Sequence, residues 1–579
     1  MSAFKKFFLF CLVFSLPLAF LARAESDSPE TYPNAVVATA HPEATRVALE
    51  ILQLGGNAVD AAVAAQWVLN VVEPQSSGIG GGGFFVYYDA QTNSVHTFDG
   101  REKAPAKAFA EMFLEESGKP MVFYPDRITG GLPVGVPGTL KLLKQVHDRF
   151  GSGEFKFSEL FNSAVVLARK GPPVSKRLAE AIEGEKERLK LFEASRRIFF
   201  YEDGAPLKEG DPLVQKDLAK TFETIAERGV GVFYEAEIAK AIARTVKEAP
   251  FHPGLMEESD LKFYGVVQRD ALYGTYREYE IFAMGPPSSG GPALIEILNL
   301  LENYSLTFYG RSSQTFHLMI EAQKAAFFDR AIFMGDPDFF EVPLGMLLSK
   351  EYSKKQAQKI KFDKARPLDT LVNEASLLKI KTHRGNTSHI SIRDRWGNVV
   401  TYTTTIEHIF GSGMVVPGWG FVLNNELTDF DAEPWFDMDM PENLRGKFKP
   451  NAPAAEKRPR SSMCPVILFK NGKAFLVAGS PGGSLIIPTV QEVLVNVIDF
   501  KMPAAKALEA PRFAARGGEV EAEPAFFENE GLIEALQSRG HSFKEHQPFG
   551  NAQILLFDEK ERAWTGASDP RGEGQTRGY

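Results

Sequence analysis

Only two cysteines occur in the 579 residues, Cys11 and Cys464. Cys11 falls in an N-terminal apolar run that reads as a removable leader, so one thiol is left, and one thiol closes no internal disulfide. No Cys/His spacing of a zinc site is present either, and neither a metal nor another cofactor is expected. Cys464 begins an apolar run and reads as a buried structural thiol. The chain also lacks long basic stretches, and its formal net charge is −9, which argues against nucleic acid as a partner. Internal repeats and low-complexity tracts are missing. Beyond the N-terminus no apolar run approaches the length of a membrane span.

The chain is 44% hydrophobic, so it is globular and long enough for a large core. Its first residues follow a signal-peptide pattern. Lys5 and Lys6 precede an apolar run from Phe7 to Leu21, and Ala22-Arg23-Ala24 offers a cleavage site. Pro17 interrupts the run and no Cys follows the cut, which argues against a span or a lipid anchor. Residues 1–24 are therefore expected to be removed, leaving an exported protein, periplasmic or secreted, with no membrane span.

Helical periodicity runs from Pro42 to Leu54 and stops at Gly55-Gly56. Ala58–Val72 is apolar nearly all round and predicts a buried helix. GIGGGGFFVYYD (78–89) suggests a phosphate loop at first sight. It runs into a strand, however, so close backbone packing near a site is the better reading. Residues 155–245 read as a solvated helical layer, and further helices are expected within 285–304 and over 316–339. Lys354–His383 is polar, lysine-rich and linker-like. Strands are predicted at Thr387–Ile392 and Val399–Thr405. Asn471-Gly472 between PVILFK and KAFLVAGS marks a hairpin, and PGGS then leads into a helix. Together these elements suggest sheets covered by helices.

The chemistry concentrates at RGNTSHISI (384–392). Asn386-Thr387-Ser388 is a glycosylation sequon, and threonine is ordinary in a strand. A different role opens if the Asn386–Thr387 bond is cut. Thr387 then carries a hydroxyl and a free α-amine, and that amine titrates at about 7.7–8.0. It can take the hydroxyl proton during attack, with no separate histidine. Before the cut, the same hydroxyl can attack the Asn386 carbonyl.

Ten segments decide between these readings. They are GGNAVDAAVA (55–64), GGGGF (80–84), FDGREKAP (98–105), GPPSSGG (285–291), NTSHISI (386–392), FGSG (410–413), LNNELTDF (423–430), RPRSSM (458–463), GSPGGS (479–484) and GASDPR (566–571). Together, and in this order, they resemble the γ-glutamyltranspeptidase family of self-cleaving N-terminal-nucleophile hydrolases. The resemblance implies a four-layer αββα fold of the α/β (α+β) class. One folding unit would consist of a large subunit, 25–386, and a small subunit, 387–579, forming a heterodimer from one precursor. It implies transfer of γ-glutamyl groups, from glutathione and related small molecules, to water or to amino-acid and peptide acceptors.

Carried over by position, Thr387 would be the nucleophile, Thr405 its hydrogen-bonding partner, and Gly482 and Gly483 the oxyanion hole. Arg101, Ser461 and Ser462 would hold the substrate's α-carboxylate; Glu426 and Asp429 would hold its α-ammonium. The chain departs from the family at Glu407, where many members have Asn, so an extra carboxylate would join the amino site. Ser388 stands for the usual Thr, Thr428 for an Asp, and Leu485 for an Arg. The Pro-containing insert between Asp429 and Ser461, with Trp435 and Phe436, resembles a lid. A related glutaryl or β-lactam acylase, or a poly-γ-glutamate hydrolase, is the alternative within catalysis. A non-cleaving exported binding protein is the alternative outside it.

Overall fold

The computed structural model describes residues 30–366, 385–438, 440 and 442–579. The expected leader and its cut after Ala24 lie outside the described residues, as does most of the linker-like stretch. The part of that stretch that is described is not uniformly a linker. Helix Lys350–Ala357 takes up its start, and Arg366 ends in an ion pair with Glu321 at 2.9 Å.

Two helices open the fold as their periodicity predicts. Helix α1 (Pro42–Gln53) starts with proline in its first turn, and the His41 ring accepts from the Glu43 N–H. Its apolar stripe, Val47, Ala48 and Leu52, is buried. Helix α2 (Ala58–Val72) is closed by a capping box between Asn57 and Asp60, and every residue in it is buried. The helix expected at 316–339 instead spans Ser313–Phe333. Met334 turns extended ahead of Gly335-Asp336-Pro337, where a residue preceding proline is kept out of the helical region.

The strands are β1 (Val36–Thr39), β2 (Gly82–Asp89), β3 (Ser94–Gly100), β4 (Val267–Arg269), β5 (Leu272–Tyr276), β6 (Tyr279–Ala283), β7 (Gly385–Arg393), β8 (Val399–His408), β9 (Val466–Lys470) and β10 (Lys473–Gly479), followed by β11 (Phe513–Ala514), β12 (Val520–Ala522), β13 (Phe543–Glu545), β14 (Gln553–Asp558), β15 (Ala563–Ser568) and β16 (Gln575–Gly578). One sheet runs β16-β1-β7-β8-β2-β3-β4 and the second β15-β14-β10-β9-β6-β5; β11, β12 and β13 form a small third sheet. The β9–β10 hairpin turns at Asn471 and Gly472, both at positive φ, as the Asn-Gly pair predicts.

The two large sheets stack face to face, each with helices on its outer side, giving a four-layer αββα sandwich. Strand alternation sorts the side chains. Phe84, Val86 and Tyr88 of β2 join one apolar cluster, shared with β6, β9 and β10 and with helices Gly290–Leu301 and Ile486–Ile498. Phe85 and Tyr87 join the other, with α1 and α2. The glycine run works here as backbone contact. Gly82 and Gly83 pair with Thr405 and Thr404, and a Cβ on Gly81 would lie 2.0 Å from the Thr405 carbonyl oxygen.

Candidate active site

Strands β7 and β8 pair antiparallel, with Thr387 opposite Thr405, His389 opposite Thr403 and Ser391 opposite Thr401. These six polar side chains share the face turned to the second sheet, where the Thr401 hydroxyl donates to the Ala478 carbonyl at 3.3 Å. His389 Nδ1 lies 2.8 Å from Thr403 Oγ1. Burial pushes His389 down to about 3, so it is neutral near pH 7 and is no ready proton acceptor. Gly479 must be glycine beside it, because a Cβ there would sit 2.1 Å from the imidazole.

The hydroxyls at the end of this ladder form a short relay. Thr387 Oγ1 donates to Thr405 Oγ1 at 3.3 Å, and Thr405 Oγ1 donates to the Asn386 carbonyl oxygen at 3.1 Å. The backbone N–H of Glu407 donates to Thr405 Oγ1 at 2.9 Å, fixing the hydroxyl from a third side. The register slips here: Gly385 faces His408 and Thr387 faces Thr405. One residue of β7, Asn386, therefore opposes two of β8, a β-bulge. The bulge extends β8 past the predicted end at Thr405 and puts Glu407 at φ +74°, a left-handed conformation that is costly for a side-chain-bearing residue.

Thr387, Thr405 and Glu407 line a cavity of about 210 Å³ together with Arg101, Glu426, Asp429, Ser461, Ser462 and Gly483. These residues come from segments far apart in the chain. Arg101 is fully buried, pairs with Glu426, and lies 2.5 Å from Asp429 Oδ2. Its remaining donors reach the carbonyls of Pro459 and Arg460 at 3.2 and 3.1 Å. Arg101 and the two acids, which the resemblance places at opposite ends of a substrate, thus form one ion-pair cluster. Burial raises Glu426 to about 7 despite the pull of Arg101. Burial raises Glu407 further, reinforced by Asp429 and Glu426, and its Oε2 has no hydrogen-bond partner. Burial thus disfavours the charged form of Glu407, and a cation beside it would favour that form.

Gly482 (φ +133°) and Gly483 (φ +57°) adopt conformations that require glycine. They stand at the head of helix Ile486–Ile498, where unpaired N–H groups and the helix dipole favour negative charge. Gly483 lines the Thr387 cavity; Gly482 lines a second cavity of about 1220 Å³, which also takes in Asn386. Leu485, in place of the arginine common in the family, is buried against Ala514 and Phe549.

The structure adds residues that the sequence reading missed. Arg330 donates to Ser462 Oγ at 2.7 Å and to Ser289 Oγ at 2.8 Å. Burial and the neighbouring Arg460 push it down to about 9. Burial likewise lowers Arg127, to about 10. Among the described residues neither has a carboxylate in ion-pair range. Arg460 sits inside the quoted RPRSSM, which is a usable signal; Arg330 and Arg127 carried none. The insert after Asp429 also reaches the cavity, through Phe430, Ala432 and Lys449. Within it Trp435 bridges to Phe448, their rings 5.5 Å apart. Cys464 is buried, and burial raises its thiol far above the ordinary range. Among the described residues no group of His, Cys, Asp and Glu is placed to hold a metal ion, and no helix is long and apolar enough to cross a membrane.

Comparison with known proteins yields consistent relatives. The family model described as gamma-glutamyltranspeptidase matches residues 44–579. The glutathione hydrolase proenzyme of Bacillus subtilis (strain 168) is 39% identical over 562 residues, 94% of this chain and 91% of that protein. The glutathione hydrolase proenzyme of Escherichia coli (strain K12) is 37% identical, over 97% of this chain and 95% of that protein. Among solved structures, the cephalosporin acylase from Bacillus halodurans superposes with a TM-score of 0.81 at 26% identity, covering 98% of this chain and 99% of that one.

Proposed function

Because this chain belongs to the γ-glutamyltranspeptidase family, we propose that it is a γ-glutamyltransferase and glutathione hydrolase that cuts itself between Asn386 and Thr387. The observation that carries this reading is the relay from Thr387 through Thr405 to the Asn386 carbonyl, at 3.3 and 3.1 Å. In the precursor, Thr387 Oγ attacks the Asn386 carbonyl carbon while the Thr405 hydroxyl stabilises the developing oxyanion. The amide nitrogen leaves as the Thr387 amine, and water hydrolyses the resulting ester. Residues 25–386 become the large subunit and 387–579 the small one. A leader at 1–24 directs export to the periplasm or the medium.

In the mature enzyme the Thr387 amine, with an ordinary pKa of about 7.7–8.0, takes the proton of its own hydroxyl. The alkoxide attacks the γ-amide carbon, and the N–H groups of Gly482 and Gly483 receive the negative charge on its oxygen, where one such donor is worth about 3–4 kcal/mol. The amine leaves with the proton, and water or an amine acceptor resolves the acyl-enzyme.

A free amino acid end carries both charges, and the cavity offers both partners. Arg101 with Ser461 and Ser462 suits the α-carboxylate, with Arg330 backing Ser462; Glu426 and Asp429 suit the α-ammonium, with Glu407 beside them in the same cavity. The likeness to an acylase keeps a glutaryl substrate in view. Three acids would be idle against a group without an ammonium, which favours γ-glutamyl. The test is a denaturing gel, with N-terminal sequencing of the smaller fragment. A fragment starting at Thr-Ser-His is expected, and a persistent single chain would sink the cleavage reading. Equal kcat/KM for γ-glutamyl and glutaryl anilides would sink the substrate assignment.

A further inference from the structure

The bond assigned to self-cleavage is gripped on both sides by one ion pair, its carboxylate buried and its arginine partly exposed, that the mechanism above leaves unused. Glu73 caps the C-terminus of α2, and Arg177 lies in the first turn of helix Lys176–Gly184. Arg177 Nη2 donates to Asn386 Oδ1 at 2.6 Å, and Arg177 Nη1 lies 3.4 Å from Glu73 Oε1. The other oxygen, Glu73 Oε2, accepts from Ser388 Oγ at 2.7 Å. The residue before Thr387 and the residue after it are therefore tied to the same pair. The tie comes from the side opposite the reacting hydroxyl: Asn386 and Arg177 line the large second cavity, Thr387 the smaller one. The pair is anchored in turn, since the Arg177 N–H donates to Glu573 Oε1 at 2.9 Å and Ser77 Oγ donates to Ser388 Oγ at 3.2 Å.

A fully buried carboxylate is an expensive way to stabilise a fold, because desolvation offsets most of the attraction. Its retention here coincides with contact to both flanks of one peptide bond. Intramolecular attack depends steeply on such alignment, and misplacement by an ångström costs about a hundredfold in rate. Resting on the assignment of the cut to Asn386–Thr387, we propose that Arg177 and Glu73 are positioning residues for maturation, clasping Asn386 and Ser388 so that the Asn386 carbonyl meets the Thr387 hydroxyl.

The test follows conversion of freshly synthesised full-length precursor to two chains over time, for the wild type, Arg177→Ala, Glu73→Gln and the double variant. Arg177→Ala is expected to convert at least tenfold more slowly, with methylguanidinium in the buffer restoring part of the rate. The double variant is expected to be no slower than the slower single one, since both break the same clasp. Conversion of both single variants within twofold of wild type would overturn the proposal. So would slowing that methylguanidinium leaves unchanged and that tracks a lowered Tm in the uncut Thr387→Ala background. If Arg177→Ala does not fold, Glu73→Gln, which is nearly isosteric, and Arg177→Lys carry the comparison. A wild-type precursor that stays one chain would instead remove the cleavage assignment, a separate failure.

Discussion

The Asn386–Thr387 bond separates two cavities of unlike character. On one side, a small chamber of about 210 Å³ holds Thr387 among arginines and acids that pair with one another or are left uncompensated by burial. On the other, a chamber of about 1220 Å³ holds Asn386, whose side chain is fixed by Arg177. The first brings arginines and carboxyls together where a zwitterion would fit, at the expense of Glu407 in a left-handed backbone and with its carboxyl raised by burial. The second holds the strand still. On the proposed function, substrate chemistry and maturation use the same hydroxyl but draw on different surroundings, and variants would separate the two.

The largest effect is expected where the two sides meet. Thr387→Ala should abolish conversion to two chains and lower kcat by about 10⁴-fold or more, the scale of losing a nucleophile, as read by a denaturing gel and γ-glutamyl anilide turnover. Arg101→Gln touches only the small chamber. Truncating one partner of a buried charge pair costs about 2–5 kcal/mol, so kcat/KM should fall about 10²-fold or more while conversion still goes to completion. Thr405→Val removes the shared hydroxyl with little change of shape. It should slow conversion and turnover alike, each by about tenfold to a hundredfold, because conversion loses the donor to the developing charge and turnover loses the hydrogen-bond partner of the Thr387 hydroxyl; a loss confined to one process would break the proposed sharing.

A smaller effect is expected from pH. Glu426 sits at about 7, raised by burial, and only its ionised form holds an ammonium. Below that value it is protonated and donor binding weakens, so KM for the γ-glutamyl donor should fall severalfold as pH rises from about 6 to 8. Glu426→Gln should remove this trend in KM yet leave the rise in kcat that follows the Thr387 amine. The smallest effect concerns the insert after Asp429. Loosening it with Trp435→Ala should shift the ratio of hydrolysis to transfer by about twofold to threefold, measured with and without a dipeptide acceptor; an unchanged ratio would argue against a gating role.

Local signals made much of this molecule readable from its residues. The all-apolar Ala58–Val72 and the Asn471-Gly472 turn act over short stretches, and each appears where its pattern predicts. The bulge at Glu407 was not readable, because β8 alternates without interruption and only pairing with β7 exposes the extra residue. The pairing of Arg101 with Glu426 was equally hidden, since more than three hundred residues separate them. Arg127, Arg330, Glu73 and Arg177 lie in segments whose patterns announce only helix or turn.

The sequence by itself determined the main elements, the family, and the threonine that the family's motifs mark as the proposed nucleophile. The elements follow from short-range periodicity, and the family and its threonine from ten motifs in a fixed order. Which face of β7 the Thr387 hydroxyl takes, which acids lose their charge, and which cations surround the cut bond were decided only by tertiary structure. Register, burial and charge pairing arise between segments distant in the chain, and desolvation has no meaning until those segments have closed around the site.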